Sequence, residues 1–255
     1  MTSDSTQSDA TPTESAADET ERLRDVVAPI RFVLFDFDGP ICRLFAGRPA
    51  ADVARDLVQW LKERGLRGLL TAEEKQQPDP YVVLRAVHRR HPRSDLVVEL
   101  ERWLTRQELN AVTTAMPTAY VDPLIRTWSA VGARLAVTTN NAPCAVGRYL
   151  ERRGILECFA PHIYGRTQDL SRLKPDPDCV ERALRALGAD PRATLMIGDA
   201  PSDYAAARQA GVRFLGYARN DRKARLLREA GAGHLVDSLE RLSRVVYAIG
   251  DMKAP

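Results

Sequence analysis

Arg31-Phe32-Val33-Leu34-Phe35-Asp36-Phe37-Asp38-Gly39 is an apolar, strand-forming run that breaks abruptly into acids and a glycine. Such a run predicts a short buried strand, and the acids and Gly39 predict its end in a tight turn. The same form recurs downstream. Ala133–Thr138 is strand-like and ends in Thr139-Asn140-Asn141, and Thr194–Gly198 ends at Asp199. Gly211–Gly216 is a further run, and Pro161–Tyr164 a weaker one. Between them, apolar residues at helical spacing fill about 122–131, 143–153, 177–187, 201–210 and 221–230. Strands alternating with helices of this length predict an α/β fold with a parallel sheet covered on both faces. Ligands of such sheets gather at the carboxyl ends of the strands, and that is where this chain keeps its polar residues.

Residues 43–118 break the alternation. Ala50–Arg64, Pro80–His91 and Ser94–Ala115 carry apolar residues near every 3.6 positions, Pro92 separates the last two, and Ser94 is a candidate N-cap. They predict an all-helical insert between the first two strands, dividing the core into residues 28–42 and 119–255. Trp60, Trp103 and Trp128 fall on apolar helix faces and are expected to pack. Residues 1–27 hold few large apolar side chains, so disorder is expected there, with ordered structure beginning near Ile30.

Asp36 and Asp38, two positions apart behind a strand, would repel unless a cation or a proton lay between them. A hard divalent ion such as magnesium resolves the conflict, since it takes oxygen ligands. One carboxylate can then attack phosphorus, while the other protonates the leaving oxygen and later activates water. The plain alternative is an acidic surface turn. Asp199 and Asp203 follow the same logic four residues apart at a strand-to-helix turn, where helix capping is the alternative. Lys174, before Pro175, supplies a fixed cation against charge building on oxygen. Thr139 offers a hydroxyl, and the N–H groups near Asn140 and Asn141 open a helix with Pro143 in its first turn, a favourable anion site.

In combination, Asp36-Phe-Asp38-Gly39, Thr139, Lys174-Pro175 and Gly198-Asp199 with Asp203 resemble the motifs of the haloacid dehalogenase-like hydrolase superfamily. The likeness covers about residues 31–245 and is most typical over Lys174–Gly211. The resemblance implies a three-layer, Rossmann-like core with a mobile helical cap, placed here at 43–118. It implies Asp36 as nucleophile, Asp38 as acid and base, Thr139 as phosphoryl ligand and Lys174 as neutralising cation. Mg2+ would be held by Asp36, the Asp38 carbonyl and Asp199, with Asp203 nearby or bridging through water. An acid at position 38 favours phosphate esters over haloacids, since a departing halide needs no proton. Pro40 departs from the Thr or Val usual after the glycine; it removes an N–H and stiffens the turn.

The expected activity is magnesium-dependent hydrolysis of a small phosphorylated metabolite through an aspartyl-phosphate, by an enzyme of the cytoplasm. A phosphomutase of the same fold and a non-catalytic binding protein are the alternatives. Arg48, where the chain enters the insert, is a candidate substrate contact, with a hinge charge as the alternative. His88 and His91, beside Arg89, Arg90 and Arg93, read as a solvated basic face, and Arg219–Arg228 as an exterior helix. Cys42, Cys144, Cys158 and Cys179 form no Cys-x-x-Cys pair and read as buried thiols. No apolar run approaches membrane-spanning length, and no basic start leads into an apolar run, so no membrane partner or secretory signal is expected. Six of the first 21 residues are acids with no Lys or Arg among them, so the net charge of +3 hides a more basic remainder. Without interleaved aromatics or a known module, that charge does not indicate nucleic acid as a partner.

Overall fold

The protein is described by a computed structural model over residues 16–251. Helix α1 (Ala16–Val27) leads into β1 (Phe32–Phe35) and the two-residue β2 (Cys42–Arg43). Four helices follow: α2 (Ala50–Glu63), α3 (Ala72–Lys75), α4 (Pro80–Arg90) and α5 (Asp95–Ala111). The chain returns through β3 (Met116–Pro117), α6 (Val121–Ala130), β4 (Arg134–Thr138), α7 (Pro143–Arg152) and β5 (Ile163–Tyr164). It closes with α8 (Asp178–Leu187), β6 (Thr194–Gly198), α9 (Pro201–Gln209), β7 (Arg213–Tyr217), α10 (Asp221–Ala230), β8 (Leu235–Val236) and α11 (Leu239–Asp251).

Six strands form one sheet in the order β5-β4-β1-β6-β7-β8, and every pairing is parallel. The first strand in sequence is therefore central, and the order reverses beside it, where ligand crevices form. Side chains alternate across the sheet. Val33, Phe35, Leu135, Val137, Leu195 and Ile197 enter one apolar cluster, and Leu34, Ala136 and Met196 enter another on the opposite face. Both faces are thus dry, which is why these strands read as continuous apolar runs rather than alternating ones. The expected three-layer α/β architecture is the one observed.

The segment after β1 has an apolar cluster of its own. Leu57 and Leu61 of α2, Leu84 and Val87 of α4, and Leu100 and Leu104 of α5 are all buried in it, joined by Leu170 and Leu173 from the stretch before Lys174. The caps follow the sequence: Ser94 Oγ accepts from Val97 N–H at 3.4 Å, and Asp79 Oδ1 accepts from Tyr81 N–H at 2.8 Å. The antiparallel β2–β3 ribbon stands where this helical segment leaves and rejoins the sheet.

One expectation needs correction. Of the residues expected to be disordered, 1–15 lie outside the described residues, but 16–27 form helix α1. Leu23, Val26 and Val27 share one helical face at i, i+3 and i+4 and are buried in the same cluster as Val246 and Ile249 of α11. Low overall apolarity concealed a stripe sufficient to dock one helix. Helices α3 and α11 and strands β2, β3 and β8 were likewise not anticipated. Four of these, α3 and the three strands, are too short for periodicity to show, and α11 lies beyond the last apolar strand-like run.

Candidate active site

The carboxyl end of β1 delivers Asp36, whose N–H bonds Ile197 O of β6 at 2.8 Å. Beside it, Asp199 directly follows β6, and the opening turn of α9 supplies Asp203. Oxygens of these three buried carboxylates lie within 4.8 Å of one another. Such crowding requires close backbone approach, and two glycines permit it. A Cβ on Gly39, at φ +138°, would stand 2.3 Å from Asp199 Cγ, and one on Gly198 would stand 2.5 Å from Asp203 Cβ.

Lys174 stabilises the cluster. Its side chain is 2% exposed, with Nζ 2.7 Å from Asp36 Oδ1, 2.6 Å from Asp203 Oδ1 and 3.0 Å from Thr138 O. Desolvation alone would drive a buried ammonium toward neutrality, but Asp203 and Asp36 outweigh it and hold the Lys174 pKa above its ordinary value. Burial, and then the neighbouring Asp203, push the Asp36 carboxyl well above the usual range, against the pull of Lys174. Asp203 also uses Oδ2 to accept the N–H groups of Asp199 and Ala200, each at 3.0 Å. It therefore does both things considered for it: it caps the turn and joins the cluster.

Asp38 stands across the turn. Its Oδ1 accepts from Leu44 N–H at 2.9 Å, and desolvation raises its pKa to about 6 despite that bond. Pro40 is buried in the same turn, where Gly39 N–H bonds Cys42 O at 2.7 Å and Thr118 Oγ1 donates to Gly39 O at 2.6 Å. The missing proline N–H leaves these bonds intact.

Thr139 and Asn140 follow β4. The Asn140 side chain is spent on the backbone of Lys174, accepting its N–H at 2.8 Å and donating to its carbonyl at 3.4 Å. It ties two of the polar segments together. Asp36, Asp38, Thr139, Asn140, Lys174, Asp199 and Asp203 all line one cavity of about 230 Å³. The helical segment closes its other side with Phe45, Ala50, Pro78, Asp79, Pro80 and Tyr81.

Arg48 is not brought to this cavity. Its guanidinium pairs with Asp56 and with Gln107 Oε1, the latter at 3.1 Å, on the exposed side of the helical segment. Lys223, read as part of an exterior helix, reaches inward instead, with Nζ 2.8 Å from Asp199 Oδ2. No signal in the local sequence marks it, because only the crossover from β7 to α10 carries that turn over the site. His88 is not solvated either: its side chain is 12% exposed, with Nε2 3.7 Å from Asp169. Cys42 and Cys179 are buried as expected, but Cys158 is only partly so and Cys144 is exposed.

The donor set fits a hard divalent cation. It consists of carboxylate oxygens alone, and with Asp203 committed to Lys174 and two N–H groups, Asp36 and Asp199 keep open lone pairs. Among the described residues no helix is long and apolar enough to cross a membrane.

Comparison with known proteins agrees with this geometry. A family model described as haloacid dehalogenase-like hydrolase matches residues 30–211. Phosphoglycolate phosphatase of Rhodospirillum rubrum is 35% identical over 100 residues, covering 38% of this chain and 41% of that protein. Pyrophosphatase PpaX of Bacillus velezensis is 27% identical over 158 residues, 61% of this chain and 69% of that protein. The chain thus spans less than half the length of the first of these relatives. Among solved structures, CbbY of Rhodobacter sphaeroides in complex with phosphate superposes with a TM-score of 0.59 at 22% identity, covering 84% of this chain and 96% of that one. A haloacid dehalogenase-like protein of unknown function from Agrobacterium tumefaciens gives 0.56 at 21% identity, over 86% and 99%. At such identities the structural likeness concerns the fold, whereas the sequence match spans the strand ends that carry the site. This chain belongs to the haloacid dehalogenase-like hydrolase family.

Proposed function

We propose that this protein is a magnesium-dependent phosphohydrolase acting on a small phosphorylated metabolite. The observation that carries the reading is the buried group of Asp36, Lys174, Asp199 and Asp203 facing Asp38 across one small cavity. An Asp36 carboxylate oxygen forms a bond to phosphorus as the bond to the leaving oxygen breaks, giving an aspartyl-phosphate. Asp38, with a pKa raised to about 6, can hold the proton that the leaving oxygen takes up. It then accepts a proton from the water that attacks phosphorus, releasing phosphate and restoring Asp36.

Thr139 and the Asn140 N–H would bind the phosphoryl oxygens, and Lys174 offsets charge at Asp36 throughout. Asp36 and Asp199, with the Asp38 carbonyl, would hold Mg2+, and Asp203 would act beside it or through water. The ion supplies charge neutralisation for the phosphoryl oxygens. The helical segment 43–118 would act as a cap that closes over the site and limits substrates to small molecules. Arg48, bound to Asp56 and Gln107, would meet a substrate only after that pairing opened.

The test is phosphate release from a panel of phosphorylated metabolites, with magnesium and with a chelator in its place. The relatives named above make phosphoglycolate and pyrophosphate the first two members of the panel. Metal-dependent release from at least one small ester is expected. No turnover across the panel would count against the reading, and a requirement for a bisphosphate activator would favour a mutase.

A further inference from the structure

A buried polar network outside the acid cluster joins the helical segment to the turn after β4. Its centre is the Glu108 carboxylate of α5, which is fully buried. Oε1 accepts from Tyr81 Oη at 2.7 Å, Arg166 Nη1 at 2.9 Å and Asn141 Nδ2 at 3.3 Å. Oε2 accepts from Ala142 N–H at 3.0 Å, at the start of α7, and from Arg166 Nη2 at 3.0 Å. The Arg166 side chain is also fully buried, and its remaining N–H groups reach Glu101 and Thr105 of α5 and the carbonyl of Asn140. Desolvation opposes the Arg166 charge, but Glu108 more than restores it. A buried pair so fully bonded holds the groups around it to one arrangement.

That arrangement ends on Thr139. A carboxamide beside Glu108 must turn its NH2 toward the carboxylate, because the reverse would set oxygen against oxygen. Asn141 does so, also donating to Tyr81 Oη at 2.6 Å, and its Oδ1 therefore faces Thr139. Thr139 Oγ1 donates to that oxygen at 2.9 Å and accepts Asn141 N–H at 3.2 Å. The hydroxyl is fixed in place by two bonds and needs only a rotation about its own C–O bond to donate to a phosphoryl oxygen.

We propose that Glu108, a residue of the cap, is a positioning residue for phosphoryl binding that acts on Thr139 through Asn141. The proposal rests on the phosphohydrolase reading and adds to it a direct line from cap to phosphoryl ligand. With the cap docked, the threonine is preorganised; with Glu108 withdrawn, Asn141 is free to turn and the hydroxyl loses its fixed position.

The experiment measures binding of inorganic phosphate to the full chain with magnesium by calorimetry, in a double-mutant cycle of Glu108→Gln and Thr139→Val. Glu108→Gln alone is expected to weaken phosphate binding about tenfold, and by less than about twofold when Thr139 is already Val. Asn141→Ala, which leaves the Glu108–Arg166 pair whole, should reproduce the loss without lowering the unfolding midpoint as Glu108→Gln does. Asn141→Asp sets two carboxylates together and should be the worst variant, rescued by adding Glu108→Gln. Additive losses in the cycle, or an Asn141→Ala protein that binds phosphate as the parent does, would overturn the coupling while the parent's turnover left the phosphohydrolase reading intact. A parent protein that neither binds phosphate nor hydrolyses any ester would overturn that reading and the coupling with it.

Discussion

The two sides of the cavity differ in kind. On the sheet side stand three buried carboxylates and two ammonium groups, Lys174 and Lys223; all but Lys174, which comes from the loop before α8, are carried by strand ends or the first turns of helices. On the cap side the wall is Phe45, Ala50, Pro78, Pro80 and Tyr81, with Asp79 its one charge. The sheet side has its own hydrophobic clusters, and the cap has another. The contrast teaches a division of labour: the sheet side gathers charges that would repel one another anywhere looser, while the helical segment contributes an almost wholly uncharged wall. The contrast is not complete, because the fully buried Glu108–Arg166 pair joins the helical segment to the sheet side.

If chemistry resides on the sheet side, with Asp36 as the proposed nucleophile, Asp36→Asn should lower turnover by about 10⁴-fold or more. Phosphate release assays check this, and an undiminished rate would dissolve the contrast at its root. Leu100→Ala opens a cavity in the cap cluster and should cost about 2–5 kcal/mol of stability in chemical denaturation. A loss confined to an early transition would sharpen the separation of cap from sheet.

Lys223→Met removes the ammonium that pairs with Asp199 and should tighten Mg2+ binding about tenfold, read by calorimetry without substrate. Weaker binding would mean that Lys223 supports the metal rather than competing with it for Asp199. The smallest effect is expected on the cap side. Asp79, whose carboxyl is pushed above its usual range by burial, is the one acid in the helical wall of the cavity. Asp79→Asn should improve kcat/KM for esters with an anionic leaving group by about fivefold, and leave neutral ones within about twofold. Equal changes for both would show that the cap wall is blind to charge.

Legibility in the sequence followed the same contrast. Each sheet-side acid was readable because a buried strand is a continuous apolar run, and its end is marked by the residue that breaks it. Asp36, Thr139-Asn140 and Asp199 stand at such breaks, whereas Lys174-Pro175 lies in the loop that opens α8. The cap helices showed in their apolar spacing, yet which of their residues face the site did not. Arg48 was the candidate, whereas Asp79 and Tyr81 line the cavity, because the rotation of α4 about its axis depends on how Val83, Leu84 and Val87 pack. Glu108 sits in an ordinary amphipathic pattern, and only burial distinguishes it from the exposed acids around it.

The amino-acid sequence by itself determined the α/β class, the order of the central strands' motifs and the acids at their ends. Those are local properties, fixed by period, propensity and the residues that end a strand. Only the tertiary structure decided that Lys223 turns inward, that α1 docks on α11, and that Glu108 meets Asn141. Each of these contacts joins segments far apart in the chain, and a charge declares its partner only when packing has removed the water between them.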